Sequence, residues 1–186
     1  MPLNREPRLL RDIVRWLRPG GHADAATYRS WIRQAGLEIT GQQFVPEGER
    51  AMTKIRTRDE AAIKDVLESL YKAWDAGDAD AFVADYTEDA TAIMPGTYRT
   101  SREEVRQGMA EGFASFLKGS TTINKLEGIR FLGENAALVV TETGVRFPGE
   151  TEVPAERMVY ATWALEKRDG SWLIAAYHNS PAVLPS

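Results

Sequence analysis

The stretch from Glu156 to Ala182, ERMVYATWALEKRDGSWLIAAYHNSPA, constrains the fold of this chain more than any other. Asp169-Gly170 lies between two apolar runs, a pattern typical of a β-hairpin turn. The sequence therefore predicts one strand over residues 157–167 and a second over residues 172–179. Both runs carry apolar residues on both faces. We expect helices to cover one side of this hairpin, and another sheet or subunit to cover the other.

His178 is the unusual residue of the second strand. Because side chains alternate along a strand, it is expected on the face that carries Trp172 and Ile174. The residue opposite His178 depends on the turn. A two-residue loop pairs it with Ala161, whereas a three-residue loop with a bulge pairs it with Tyr160. The sequence leaves both registers open.

Composition and motifs argue against several classes of function. The net charge is −4, and the acidic balance lies after residue 52, which argues against a nucleic-acid-binding domain. The chain has no cysteine and two histidines, so disulfides, thiolate catalysis and a typical zinc site are not expected. No glycine-rich phosphate loop, GxGxxG or G-x-S-x-G motif is found, and no cofactor is expected. Without a transmembrane run or a signal-peptide pattern, the expected location is the cytoplasm.

Residues 1–51 are predicted to form an N-terminal extension, and residues 52–186 the main domain. In the extension, an arginine-rich helix ends at Pro19-Gly20-Gly21, and a second helix (24–34) and a strand (37–45) follow. The arginines are interpreted as a solvated face of a docked extension rather than as a membrane-binding or anion-binding element.

A short resemblance lies inside this extension. The run LRPGGHADAATYRSWIRQAGLEI is similar to the tail of a class I O-methyltransferase. The glycine-rich cofactor loop that such an enzyme needs is missing, so methyl transfer does not follow. A fusion remnant or a misplaced start codon would each account for the upstream segment, and Met52 is then the alternative natural start.

The main domain is predicted to contain three helices, with a strand before the third, and then four further strands. Thr57 and Glu60 form a capping box that is expected to begin the first helix, and Gly77 is expected to end it. Asp78 can cap the second helix. Ser101 with Glu104, or Thr100 with Glu103, can cap the third.

The predicted strands are residues 90–94, 121–132 and 136–147, followed by the terminal hairpin. This order is typical of an α+β fold in which helices pack on one face of a curved antiparallel sheet. A sheet of that shape encloses a cone, and its interior is the natural pocket.

Three runs of the main domain resemble the SnoaL-like branch of the nuclear transport factor 2-like superfamily. They are YKAWDAGDADAFVADYTEDAT, MPGTYRTSREEVRQGMAEGF and RMVYATWALEKRDGSWLIAAYHNSPA, and together they span roughly residues 57–182. More narrowly, they are similar to the SgcJ/EcaC group of bacterial polyketide and enediyne biosynthesis. The resemblance implies a cone-shaped α+β barrel, a homodimer through the outer face of the sheet, and a cavity for a small hydrophobic natural-product intermediate. It does not imply one reaction, since such folds serve cyclases, dehydratases, isomerases and non-catalytic binding modules.

His178 and Arg157 are the first candidates for catalysis. An imidazole inside an apolar cone could transfer a proton near neutral pH, and a buried guanidinium could orient a developing oxyanion. The alternatives are a structural histidine, and an arginine that pairs with Glu142 or Glu156. Together the two candidates would support a cofactor-free cyclase, isomerase or dehydratase. The rival interpretation is an accessory protein that holds or releases a reactive intermediate without chemistry.

Carboxylates and large side chains complete the candidate site. Asp75 is a candidate acid or base, Asp89 is either a second such candidate or the organiser of a turn, and Glu142 is either an inward acid or an outward charge at a dimer edge. Seven residues are expected to line the cavity: Trp74, Tyr86, Met94, Met109, Phe113, Tyr160 and Trp163.

Overall fold

The computed structural model describes residues 47–183, and the side chains from residue 52 onward. The elements of this part of the chain are α1 (Glu47–Ala76), α2 (Ala79–Phe82), β1 (Tyr86–Met94), β2 (Thr97–Arg99), α3 (Arg102–Ala114), β3 (Thr121–Phe131), β4 (Ala136–Arg146), a 3-10 turn (Ala155–Arg157), β5 (Met158–Arg168) and β6 (Ser171–Pro181). The helices and strand predicted before residue 46 lie outside the described residues. Because α1 continues through positions 51 and 52, the division into two regions there stays a prediction.

The six strands form one curved sheet in the order β2-β1-β6-β5-β4-β3. Four neighbouring pairs are antiparallel. The remaining pair, β1 and β6, is parallel, and it places the last strand of this region beside the first. The predicted cone-shaped α+β fold is confirmed, although its sheet is mixed rather than antiparallel throughout. Within residues 47–183, no helix has the length and apolar composition required to cross a membrane.

Helix α1 begins ten residues before the predicted start at Thr57. Thr57 does not begin the helix but lies inside it, where its Oγ1 donates a hydrogen bond to the carbonyl oxygen of Thr53 at 3.0 Å. No glycine or proline interrupts residues 49–56, so the helix passes through the capping pattern. The predicted end is confirmed: Gly77 has a φ of 68°, and the amides of Gly77 and Asp78 donate to the carbonyls of Trp74 and Ala73.

The other two helices begin where the sequence indicates. The carboxylate of Asp78 accepts the amides of Asp80 and Ala81 at 3.0 and 2.9 Å. Ser101 accepts the amide of Glu104 at 3.2 Å, and the Glu104 carboxylate accepts the amide of Thr100 at 2.7 Å. Side-chain caps therefore determine where both helices begin.

A buried carboxylate fastens α1 to the terminal hairpin. Asp59 is only 6% exposed, and its Oδ1 accepts hydrogen bonds from Lys167 Nζ at 2.6 Å and Trp172 Nε1 at 3.1 Å. Burial raises the pKa of Asp59, but the hydrogen bonds from Lys167 and Trp172 and the charge of Lys167 outweigh it, so the pKa lies below its usual value. This contact holds the helix over the sheet.

The terminal hairpin has the two-residue turn that Asp-Gly favours. Arg168 pairs with Ser171 across Asp169 and Gly170, and both turn residues have positive φ values of 51° and 84°. A type I′ turn requires this backbone conformation at both central positions.

A bulge farther along the hairpin changes which side chains face the interior. Leu165 pairs with Ile174, but the next pair is Ala164 with Ala176, so Ala175 is an extra residue in β6. One inserted residue moves every later side chain of β6 to the opposite face. His178 consequently pairs with Thr162, and neither register considered in the sequence analysis is observed.

Candidate ligand-binding site

The concave face of the sheet and the helices enclose a cavity of about 260 Å³. Of the seven residues expected in its wall, five lie there: Trp74, Tyr86, Met94, Met109 and Trp163. The other two expectations are corrected. Phe113 packs beside the wall, against the rings of Trp74 and Phe82 at 5.6 and 6.4 Å between centroids. Tyr160 lies on the outer face of the sheet and is 46% exposed.

A cluster of hydroxyl groups ties α1 to the inner face of the sheet. The Tyr71 hydroxyl lies 3.3 Å from both Thr141 Oγ1 and Thr143 Oγ1, and the two threonine oxygens are 3.1 Å apart. Trp163 Nε1 donates to Thr141 Oγ1 at 3.1 Å. Burial raises the pKa of Tyr71, so its hydroxyl is protonated at neutral pH.

Tyr177 and Asn179 bring a second polar pair to the cavity wall. Asn179 Nδ2 donates to the Tyr177 hydroxyl oxygen at 2.7 Å, and the Tyr177 ring lies 4.4 Å from that of Trp163 between centroids. Burial raises the pKa of Tyr177 to about 12. Asn179 is not predicted as a wall residue because regular alternation places it outward, whereas the bulge at Ala175 turns it inward.

Arg99 also lines the cavity, and no sequence motif marked it. It pairs with Ala92, whose side chain is 2% exposed on the inner face of β1, while Tyr98 points outward and is 65% exposed. The guanidinium of Arg99 lies directly against the backbone of Gly108 in α3. No hydrogen bond or ion pair joins it to any residue between 52 and 183.

Arg157 lies in the cavity wall as well, but its charge is already balanced. Its Nη2 donates to Glu150 Oε1, and its guanidinium lies over the ring of Phe147, 4.8 Å from the centroid. The hydrogen bond from Arg157 lowers the pKa of Glu150. The observed partner is Glu150, not the Glu142 or Glu156 considered from sequence.

His178 does not lie in the cavity, which corrects the expectation that it faces the interior. It is exposed on the outer face of β6, between Ile93 of β1 and Thr162 of β5. The physical reason is again the inserted residue Ala175, which reverses the alternation before His178. A proton transfer inside the cavity by this imidazole has no geometric support.

The candidate carboxylates also lie outside the cavity wall. Asp75 is exposed and accepts the amide of Thr122 at 3.0 Å, so it joins the end of α1 to β3. Glu142 faces outward, 4.0 Å from Lys125, so it is not the inward acid that was one of its two alternatives. Asp89 is exposed and pairs with Arg168 at 3.4 Å.

These placements define the chemistry of the cavity. Its described wall contains hydroxyl, amide and guanidinium groups, and it contains no carboxylate or imidazole. Among residues 52–183, no three histidine or acidic side chains converge in a way that could hold a metal ion. The arrangement suits an apolar molecule with a small number of oxygen atoms that accept hydrogen bonds.

Solved structures with the same fold include proteins of several descriptions. A domain of unknown function with a cystatin-like fold from Nostoc punctiforme is 28% identical over 69% of this chain and 80% of that chain, with a TM-score of 0.65. A nuclear transport factor 2-like protein from Novosphingobium aromaticivorans is 15% identical over 77% and 95% of the two chains, with a TM-score of 0.66. A ketosteroid isomerase-like protein from Erwinia carotovora atroseptica is 19% identical over 67% and 96%, with a TM-score of 0.54. The chain therefore has a nuclear transport factor 2-like fold.

The family follows from the sequence match. The SnoaL-like domain matches residues 63–184, which is more than half of the chain. This protein belongs to the SnoaL-like domain family, as the resemblance of its three sequence runs implied. The comparison with curated proteins gave no match.

Proposed function

We propose that this protein binds a small, mostly apolar intermediate of polyketide-type or enediyne-type biosynthesis in its cavity. The observation that carries the proposal is the 260 Å³ interior, whose apolar wall is interrupted by a few converging polar groups. Cavities of this composition hold apolar ligands and orient them through a small number of hydrogen bonds. The biosynthetic class follows from the resemblance to the SgcJ/EcaC group.

The chemical groups that line the cavity favour binding of the intermediate without general-base catalysis. A base that works near neutral pH is usually a histidine or a carboxylate whose pKa is tuned by burial. Neither type lines the described cavity, and the buried tyrosine hydroxyls have raised pKa values. The accessory function, binding without turnover, therefore agrees best with the site.

Tyr177 favours a second candidate, a cofactor-free isomerase or dehydratase. Its hydroxyl oxygen accepts a hydrogen bond from Asn179, which leaves the hydroxyl proton available to the cavity. A neutral hydroxyl held in this way can stabilise an enolate oxygen by hydrogen bonding. In such a reaction the ligand itself or water would accept the proton from carbon. Conversion of a bound enone by the wild-type protein, lost in Tyr177→Phe even at enone concentrations that saturate the variant, would establish this candidate over the accessory function.

Occupation of the cavity can be tested with a neutral aromatic probe, naphthamide. Ala92 lines the cavity, whereas its neighbour Thr91 alternates to the outer face of β1. In a calorimetric titration, Ala92→Phe should abolish naphthamide binding because the added ring fills the interior, and Thr91→Phe should leave it unchanged. Equal affinities in both variants, or no binding to the wild-type protein, would contradict the proposal.

We also propose that two copies associate through the outer face of the sheet. Ile93, Val140 and Tyr160 lie on this face and are 44, 37 and 46% exposed. Removing such side chains from water is the usual source of association energy. Light scattering should give the mass of a dimer for the wild-type protein and for Leu132→Glu at the β3–β4 turn, and that of a monomer for Tyr160→Glu. A monomeric wild-type protein would contradict this proposal.

A further inference from the structure

We propose that the ligand carries a carboxylate and that Arg99 binds it. This inference rests on the proposed function, since it assigns a chemical class to the molecule held in the cavity. Arg99 is marked by no sequence motif, and it ends a strand, β2, that the sequence does not predict.

The position of Arg99 in the sheet places its side chain in the cavity wall. β2 has only three residues, and its pairing with β1 places Arg99 beside Ala92 on the inner face. Ala92 and Arg99 both line the cavity. The neighbouring Tyr98 takes the outward position, so the two side chains follow the ordinary alternation of a strand.

Gly108 makes room for the guanidinium. A Cβ at this position of α3 would lie 2.1 Å from Arg99 Nη2 and 2.3 Å from its Cζ, closer than atoms can approach. Glycine in the middle of a helix lowers helix stability relative to alanine. Here it lets the planar guanidinium lie against the helix backbone while remaining part of the cavity wall.

The charge of Arg99 has no counterpart in the described part of the chain. Its guanidinium makes no ion pair or hydrogen bond with residues 52–183, whereas that of Arg157, the other arginine of the wall, is bound by Glu150. No carboxylate lines this cavity. A half-buried cation in apolar surroundings is unfavourable until an anion pairs with it.

A carboxylate on the ligand would supply that anion. Guanidinium and carboxylate groups form two parallel hydrogen bonds, and this pairing is stronger in a site that excludes water. The remaining wall is apolar or carries neutral hydroxyl and amide groups, so the rest of the ligand is apolar. The geometry thus selects an apolar acid over the corresponding amide, ester or alcohol.

The test compares naphthoate with naphthamide, which have similar shapes and differ in charge. In calorimetric titrations, the wild-type protein should bind naphthoate about tenfold more tightly or better, as expected for a charge-assisted pair. Arg99→Leu should remove this preference by weakening naphthoate binding much more than naphthamide binding. Arg99→Lys should retain part of it, because the charge remains but the two-pronged donor is lost.

Arg106→Leu serves as the matched control, because Arg106 lies on α3 but is bound by Glu103 rather than lining the cavity. It should keep the preference for naphthoate, and circular dichroism should show that all variants are folded. Equal binding of naphthoate and naphthamide by the wild-type protein would overturn the role of Arg99 and leave the proposed function standing. A preference that survives in Arg99→Leu would also overturn it. No binding of either probe by the wild-type protein would overturn both proposals.

Discussion

Gly108 of α3 and Arg99 of β2 are in direct contact, and no side chain at position 108 could coexist with the observed position of the guanidinium. The atoms that a Cβ would meet are the far end of a flexible side chain, so the arginine can move while the backbone stays in place. The contact with Gly108 therefore determines where the Arg99 guanidinium lies, and it contributes little to the stability of the fold.

Gly108→Ala should separate these two effects. Alanine should stabilise α3 by roughly 0.5–1 kcal/mol through helix propensity. The displaced guanidinium should weaken naphthoate binding by about fivefold or more, the loss of part of a charge-assisted pair. Urea unfolding and calorimetric titration measure the two quantities. The control is the same substitution in an Arg99→Leu background, where the clashing guanidinium atoms are absent. There Gly108→Ala should no longer change naphthoate affinity. An equal loss of affinity would show that the added methyl group itself blocks the ligand.

Asp59→Asn should lower the free energy of unfolding at pH 7 by about 2–3 kcal/mol, because Lys167 loses its buried partner. The pKa of Asp59 is lower in the folded state than in the unfolded state, so its contribution is present above the unfolded-state pKa of about 3.9 and disappears as the pH falls through the folded-state value. Urea unfolding from pH 7 to pH 2 should therefore show a smaller loss of stability with acidification in Asp59→Asn than in the wild-type protein.

The matched control for Asp59 is Glu68→Gln. Glu68 and Lys72 form an ion pair of the same 2.6 Å length as Asp59 and Lys167, but on the exposed surface of α1. Solvent screens such a pair, so no measurable change is expected. Equal effects of the two substitutions would refute the importance of burial at Asp59.

Thr141→Val should destabilise the protein by about 1–3 kcal/mol, because the buried indole N–H of Trp163 and the hydroxyl of Tyr71 lose a partner. The substitution preserves shape, so the loss reports the hydrogen bonds. Thr162→Val, on the outer face of the neighbouring strand, provides the comparison, and it should not destabilise the protein because valine is at least as favourable as threonine on a face that associates with a second copy. A Thr141→Val variant as stable as the wild-type protein would mean that the cluster contributes little.

His178→Ala should leave naphthoate and naphthamide affinity unchanged, because His178 points to the outer face. Tyr177→Phe should retain apolar packing against Trp163 but remove the hydroxyl that Asn179 binds, and so weaken ligands with a carbonyl oxygen near that wall. Titration of both variants checks the bulge in β6 directly. If His178→Ala weakened binding and Tyr177→Phe did not, the alternation of β6 would have to be the regular one.

Local signals in the sequence were sufficient for much of the fold. Gly77, Asp78 and Ser101 end or begin helices through hydrogen bonds within a few residues, and Asp169-Gly170 forms the predicted turn. Each of these features depends on neighbours in sequence, so its pattern is visible without the structure. Thr57 shows the limit, since a favourable cap has no effect when the preceding residues also continue the helix.

The candidate site was harder to predict because its residues are brought together by contacts between distant elements. The residues around Ala175 carry no sequence signal for a β-bulge. Because of this one extra residue, Tyr177 and Asn179 face the interior and His178 faces outward. The role of Arg99 depends on a three-residue strand and on a glycine nine positions later in α3. The glycine at position 108, in the middle of a predicted helix, was the one available signal that another group approaches closely.

Methyl NMR of the isotope-labelled methionines tests the central claim most directly, namely that the ligand binds inside the cone. Met94 and Met109 line the cavity, whereas Met52 on α1 does not. We predict that naphthoate shifts the methyl signals of Met94 and Met109 and that its ring shows nuclear Overhauser contacts to both methyl groups. The methyl signal of Met52 should not change. Ala92→Phe should abolish the changes at Met94 and Met109. Binding that shifts Met52 but neither Met94 nor Met109 would contradict the account.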